Sequence, residues 1–310
     1  MRYMVWVPLV VNVIVAVCAP ALARRLPYRV KPAALTTGAV LAAAGWVSSL
    51  TLLAASFADR VPALAHRLGA TVRAPQAELP PSLAGATAVL AVGAAAGMLL
   101  TAAARIGRDL IRAERLVRRL PPGRVHVLPQ RRPDACAVGG VTGGRVVITA
   151  GMLDCLDSAE REAVLAHEHA HLTGGHHWLR MVVACCAAVD PLLRHLPGLV
   201  ESACERWADE HAARATGQRR VLAQALGKVS LATLRETQGH RPGDAGVSRS
   251  TPTTCGFDHS GVTERMVALL DGSASATRVP ATVLLATSAL TAIMIGSAVH
   301  ASTDYLALLR

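Results

Sequence analysis

The chain has 310 residues, 52% of them apolar, and a mean hydropathy of +0.37. That composition excludes an ordinary soluble domain of this length. The formal net charge of +11 and a pI near 10.2 would suit a nucleic-acid binder, but the basic residues sit beside apolar runs instead of interleaving with aromatics on one face, which excludes that class as well.

Four apolar runs, at 4–23, 33–57, 82–104 and 281–302, reach the roughly 20 residues needed to cross a bilayer. The first carries Pro8, Asn12 and Pro20 and a short Ala19-Pro20-Ala21 stretch. Its weak n-region, the Arg24-Arg25 pair behind it and the three later spans point to a retained anchor and not a cleaved signal. Arg24, Arg25, Arg29 and Lys31 follow the first run, and Arg105, Arg108, Arg112, Arg115, Arg118 and Arg119 follow the third. The loop at 58–81 is mixed in charge. The positive-inside rule then puts the N-terminus and 58–81 outside, and 24–32 and everything from 105 to 280 in the cytoplasm. The expected layout is a three-helix membrane region (1–104), a cytoplasmic domain (105–279) and a fourth span with a short tail (280–310), in a multi-pass protein of the cell membrane.

Within the middle region, 105–120 reads as a basic amphipathic helix ended by Pro121-Pro122-Gly123. Short strands are expected at 124–128, 135–138 and 145–149. The last two are joined by the Gly139–Gly144 hairpin turn, which lacks the Gly-Lys-Ser/Thr of a phosphate loop. Helices follow at 158–172, 199–215, 221–235 and 262–270, and 236–261 is a Gly/Ser/Thr/Pro-rich loop. Residues 178–196 are apolar but interrupted by Arg180, Asp190 and Pro191. They form a helix packed on the domain or lying on the bilayer surface. Seven cysteines show no Cys-x-x-Cys spacing and read as small buried residues. Arginine and alanine dominate while lysine stands only at 31 and 228, a bias that points to a GC-rich bacterial genome.

The chemistry is concentrated in His167-Glu168-His169-Ala170-His171. On a helix His167 and His171 stand one turn apart on the same face and reach one Zn²⁺ together. Glu168 is turned about 100° away, placed to take a proton from an activated water without being a ligand. Asp157-Ser158-Ala159-Glu160 reads as the capping box that starts this helix, and Gly174-Gly175 stops it. Glu205 and Asp209, at i and i+4 on a later helix, supply what a catalytic zinc still needs: a third ligand beside an open position, and a carboxylate that holds a ligand imidazole in its tautomer. Pairing of these carboxylates with Arg206 or Arg214 is the plain alternative. The expected fold is therefore a mainly α membrane protein with four transmembrane helices and a small α+β zincin-like domain between the third and the fourth.

The zinc box followed by Glu205-Arg206-Trp207-Ala208-Asp209 resembles the membrane metallopeptidases of the beta-lactam sensor–transducer family, the methicillin-resistance regulators. The likeness covers most of the chain in layout, and in motif about 145–210 and Glu264-Arg265-Met266. The HtpX-like and CAAX-prenyl-protease group shares the box and the Glu-x-x-x-Asp pattern. The resemblance implies one zinc per chain on His167, His171 and Glu205, with Glu168 as catalytic base and Asp209 behind the ligands. It implies an integral-membrane zinc metalloendopeptidase acting on a protein or peptide, with a transcriptional repressor or the chain itself as the regulatory substrate. A membrane quality-control protease of the HtpX type, or a non-catalytic zinc-binding signalling protein, are the alternatives. The penicillin-binding domain that follows the fourth span in the sensors has no counterpart before Arg310, so direct antibiotic sensing is not expected. An edge strand at 145–149 for an extended substrate is weighed equally against an inner strand. Arg265, His240 and His259 are unassigned oxyanion candidates, and His169, His176, His177, His195 and His211 carry no assigned role.

Overall fold

A computed structural model describes residues 4–58, 82–141, 143–239, 254–256 and 261–272, with scattered positions from 292 to 303. Most of the fourth expected span at 281–302, the loop residues 59–81 and most of 236–261 lie outside the described residues. Helices α1 (Val7–Arg25), α2 (Lys31–Ala58) and α3 (Ser82–Arg119) are long and apolar enough to cross a membrane. Small residues let α1 and α2 approach closely, Ala16, Ala19 and Ala23 meeting Ala39, Ala42 and Ala43 in one buried cluster. The basic helix expected at 105–120 is not separate. No proline interrupts 82–119, and α3 runs through it as a single 38-residue helix, about 57 Å long against a ~30 Å hydrocarbon core.

Beyond α3 come β1 (Val125–Leu128), β2 (Ala135–Val138), β3 (Arg145–Thr149), α4 (Ala150–Cys155), α5 (Ser158–Thr173), α6 (His176–Val189), α7 (Leu196–Thr216), α8 (Arg219–Gly239), β4 (Thr254–Gly256) and α9 (Val262–Leu270). Three strands fall within the segments expected for them. The sheet order is β1-β3-β2-β4, with β1 parallel to β3 and both other pairings antiparallel. This settles one open alternative and corrects one expectation. The 145–149 segment is an inner strand with both edges paired, so no substrate can add to it. Part of the expected loop at 236–261 is ordered, because Thr254–Gly256 pairs with the free edge of β2.

One core lies between the sheet and the helices α5, α8 and α9, where Ile148, Met152, Val164, Leu222, Leu226 and Leu269 are buried together. A second joins α6 and α7 to α1 and α2, so the globular part is not a separate body below the membrane helices. Cys18, Cys136, Cys155, Cys185, Cys186 and Cys204 are free thiols.

Helix α8 offers a direct test of this packing, since Leu226 is fully buried while Leu231 is 57% exposed. Leu226→Ala should cost about 2–5 kcal/mol, and Leu231→Ala less than about 0.5 kcal/mol. Thermal melting of both variants in detergent checks this, and equal losses would contradict the burial of one face of α8.

Candidate metal centre

Helix α5 begins where its capping box places it. Asp157 Oδ1 accepts the Glu160 amide at 2.9 Å, and Glu160 Oε2 accepts the Asp157 amide at 2.9 Å. Its apolar residues Ala163, Val164 and Ala170 are buried, which turns His167, Glu168 and His171 inward toward α7. Helix α7 answers with Glu205 and Asp209, one turn apart on its buried face.

The three candidate ligands meet. His167 Nε2 lies 3.1 Å from His171 Nε2 and 3.4 Å from Glu205 Oε2, and His171 Nε2 lies 3.2 Å from Glu205 Oε1. A tetrahedral zinc with ligands at roughly 2.0–2.1 Å sets those ligands about 3.4 Å apart, so the residues fit the ion. One further observation agrees. Both Glu168 oxygens are buried without a hydrogen-bond partner inside the protein, while His167 and the Ala137 amide of β2 favour its charged form. A buried carboxylate with open acceptor positions beside a candidate ligand nitrogen has room to bind a water.

The outer nitrogens are also engaged. His167 Nδ1 lies 3.0 Å from Asp209 Oδ1, the placement the sequence suggests for Asp209. His171 Nδ1 lies 2.9 Å from His176 Nδ1, a partner that sequence reasoning left unassigned. The helix stop makes this contact: Gly175, at φ +61°, turns the chain into α6, and a Cβ on Gly174 would lie 2.5 Å from the His176 ring. His176 packs edge-on against Trp207 at 4.9 Å, and Trp207 stacks on His211 at 4.9 Å. The Gly-Gly-His run was the one signal for it.

Arg265 also has a definite place. Its guanidinium makes two bonds to Asp209, at 2.8 and 2.7 Å, and lies 3.0 Å from Glu205 Oε2. It is therefore a clamp on the two carboxylates and not a free oxyanion donor. Arg206 and Arg214 do not take these carboxylates: Arg206 pairs with Glu210 at 2.9 Å, and Arg214 lies over the Tyr28 ring. His240 and His259 lie outside the described residues.

The electrostatics follow from burial and charge balance. Burial opposes the charge on Asp209, but Arg265 outweighs it and holds the carboxyl down at about 2. Glu205 is held well below the usual range by His171 and Arg265 against the same burial penalty. Burial alone would depress His167, yet its contacts with Asp209 and Glu205 lift it to about 9. Burial lowers His171 and pushes Glu168 up to about 8.

Residues 102–196 match the sequence model of peptidase family M48. The match includes the zinc box but ends before Glu205. Over 168 residues the chain is 28% identical to a protease HtpX homolog of Acaryochloris marina, covering 42% of this chain and 57% of the relative. It is 38% identical over 65 residues to protease HtpX homolog 1 of Sulfolobus acidocaldarius, covering 21% of each chain. It is 40% identical over 62 residues to a protease HtpX homolog of Aquifex aeolicus, covering 19% of this chain and 20% of the relative. The chain thus spans little more than half the length of the first of these and about a fifth of the other two. No solved structure matches it. Together with the apolar helices, these likenesses support a membrane metallopeptidase of the HtpX type; they do not confirm the sensor–transducer group.

The clamp can be tested without reference to activity. Removing one partner of a buried ion pair costs about 3–5 kcal/mol, so Arg265→Met should lower the stability of the metal-free chain by that order. Because Asp209 is depressed in the folded state, its contribution is whole above its ordinary value of 3.8 and fades as the pH falls toward about 2. Chemical denaturation at pH 7 and at pH 3 should therefore show the larger gap between variant and wild type at pH 7. A gap that grows on acidification would contradict the clamp.

Proposed function

We propose that this chain is a membrane-anchored zinc endopeptidase. The observation that carries the reading is the meeting of His167, His171 and Glu205 at tetrahedral spacing, with the unpartnered Glu168 carboxylate beside them. The match to peptidase family M48 supports it. His167, His171 and Glu205 would hold the ion, Asp209 and His176 would fix the two imidazoles by their outer nitrogens, and Arg265 would keep both carboxylates ionised. A bound zinc supplies Lewis-acid chemistry, acidifying water and polarising the scissile carbonyl. Glu168 takes the proton as water attacks that carbonyl, and returns it to the leaving amine as the C–N bond breaks. Its raised proton affinity suits both transfers, since a base near neutrality both accepts and gives a proton at working pH. A fourth, closing ligand from the described residues does not join the three, which favours a catalytic over a structural site.

The domain orientation follows from the arginines behind α1 and along α3. We place the peptidase region on the cytoplasmic side, where a membrane-associated protein or a soluble regulator is within reach. Cleavage of a transcriptional repressor, or of the chain itself, rests on the resemblance alone.

The mechanism predicts a separation of metal from activity. Purified full-length chain in detergent should bind about one zinc, and His167→Ala or Glu205→Ala should lose most of it. Glu168→Gln should keep the zinc and lose cleavage of an unfolded protein such as casein. Equal cleavage by wild type and Glu168→Gln, both zinc-loaded, would overturn the role of Glu168. Since zinc must displace the proton that His167 holds up to about 9, zinc affinity should also rise as the pH is raised toward that value.

Orientation is tested by fusion. A reporter after Arg119 should be active only in the cytoplasm, and one within 58–81 only outside. The reverse pattern would remove every cytoplasmic substrate.

A further inference from the structure

We propose that the junction of α7 with the connection between α1 and α2 binds the phosphate of an anionic phospholipid, with Lys31, Arg206 and Arg214 as its binding side chains. The proposal rests on the reading of α1 and α2 as membrane spans. It goes beyond the peptidase assignment, since no step of peptide cleavage uses this ligand.

Positive charge accumulates at this junction without being balanced. Along α7, Arg206, Glu210 and Arg214 recur every fourth residue and share one face. Glu210 is fully buried. Arg219, at the start of α8, donates to its Oε1 at 3.0 Å, and Arg206 lies 2.9 Å from the same oxygen. One carboxylate thus serves two guanidiniums. The α1–α2 connection brings further cations to the same place. Arg214 lies over the buried Tyr28 ring, 5.1 Å from its centroid, and Arg29 donates to the Tyr28 hydroxyl at 3.0 Å. That hydroxyl is also within Coulombic reach of Arg219. Lys31, the first residue of α2, is within Coulombic reach of Arg206. Among the described residues, Arg29, Lys31 and Arg214 pair with no carboxylate.

Like charges gathered in this way repel, most strongly where burial thins the screening by salt and water. The Arg206 side chain is only 19% exposed, and its Nη1 is sealed from solvent with no acceptor, a state that folded proteins seldom leave unanswered. An anion at the junction offsets the repulsion and offers acceptor oxygens, and guanidinium groups match those of a phosphate. The basic stretch of α3 is built differently. There Arg112 and Arg118 are more than two-thirds exposed and already pair with Asp109 and Glu114, as on a solvated helix face.

Location selects the class of anion. Residues 26–30 join two apolar helices, and a turn between two spans lies at the level of the lipid headgroups. The arginines behind α1 put that turn on the cytoplasmic side, where anionic lipids collect and basic pockets between transmembrane helices hold their phosphates. A phosphodiester carries one negative charge and two free oxygens, so it can bridge side chains from α2 and α7. Since Arg206 follows Glu205 directly, a lipid held here also braces the helix that carries the third candidate ligand.

The test uses the purified full chain in dodecyl maltoside, titrated with phosphatidylglycerol, phosphatidylcholine or inorganic phosphate, and followed by thermal melting and native mass spectrometry. Phosphatidylglycerol should raise the melting temperature and stay bound at about one molecule per chain. Phosphatidylcholine, whose ammonium offsets its phosphate, should do neither. Lys31→Gln combined with Arg214→Gln leaves the Glu210 ion pairs intact and should weaken phosphatidylglycerol binding about tenfold or more. Arg105→Gln combined with Arg115→Gln, on the exposed face of α3, removes the same charge and should bind as the unmodified chain does. Each lipid-induced shift is read against that variant's own melting temperature without lipid. Equal weakening in the two double variants would reduce the effect to general attraction and overturn the site, as would unchanged binding by Lys31→Gln with Arg214→Gln. A shift with millimolar inorganic phosphate as large as that with phosphatidylglycerol would overturn the assignment to a lipid.

Discussion

Two carboxylates buried one turn apart on α7 constrain most of what surrounds them. Glu205 and Asp209 are almost fully removed from water, and uncompensated charge there would be prohibitive. Arg265 reaches in from α9 and binds both, and His167 stands between them from α5. Three helices distant in sequence are thereby tied at one point by charge balance. The same balance makes the site a cation trap, since with Arg265 placed there remains one negative charge to be met by a proton or a metal.

The construction around the histidines is asymmetric. His167 leans on a carboxylate, while His171 leans on a neutral imidazole that is itself fixed against Trp207. A carboxylate partner raises the basicity of a ligand imidazole more than a neutral ring does. The two nitrogens therefore differ as donors although the motif treats them alike. His167, His171 and Glu205 are at most 4% exposed, and Arg265 of the short helix α9 contacts Glu205 and Asp209 from the side of that helix.

The second constraint is the attachment of α6 and α7 to α1 and α2. Leu196, Val200, Ala203 and Cys204, the part of α7 that precedes Glu205, share a core with the apolar helices α1 and α2, so the placement of Glu205 is coupled to the packing of those helices.

Local spacing was enough to read much of this protein from its residues alone. The capping box starts α5 because Asp157 and Glu160 interact within one turn. His167 and His171 share a face because the helix repeats every 3.6 residues, and the strands and apolar runs follow from equally short-range patterns. Glu205 and Asp209 were legible as a pair for the same reason. Their meeting with the histidines, the role of His176, the Arg265 clamp and the inner position of β3 were decided by tertiary structure. His176 needed the turn at Gly175 to fold its ring back, Arg265 acts across 56 residues, and β3 became an inner strand only when β1 and β2 paired on either side of it. The packing of 178–196 against α1, α2 and α7 was likewise undecidable from hydropathy, because it depends on Asn12 and Glu201, contributed from elsewhere in the chain, meeting Asp190 and Arg180.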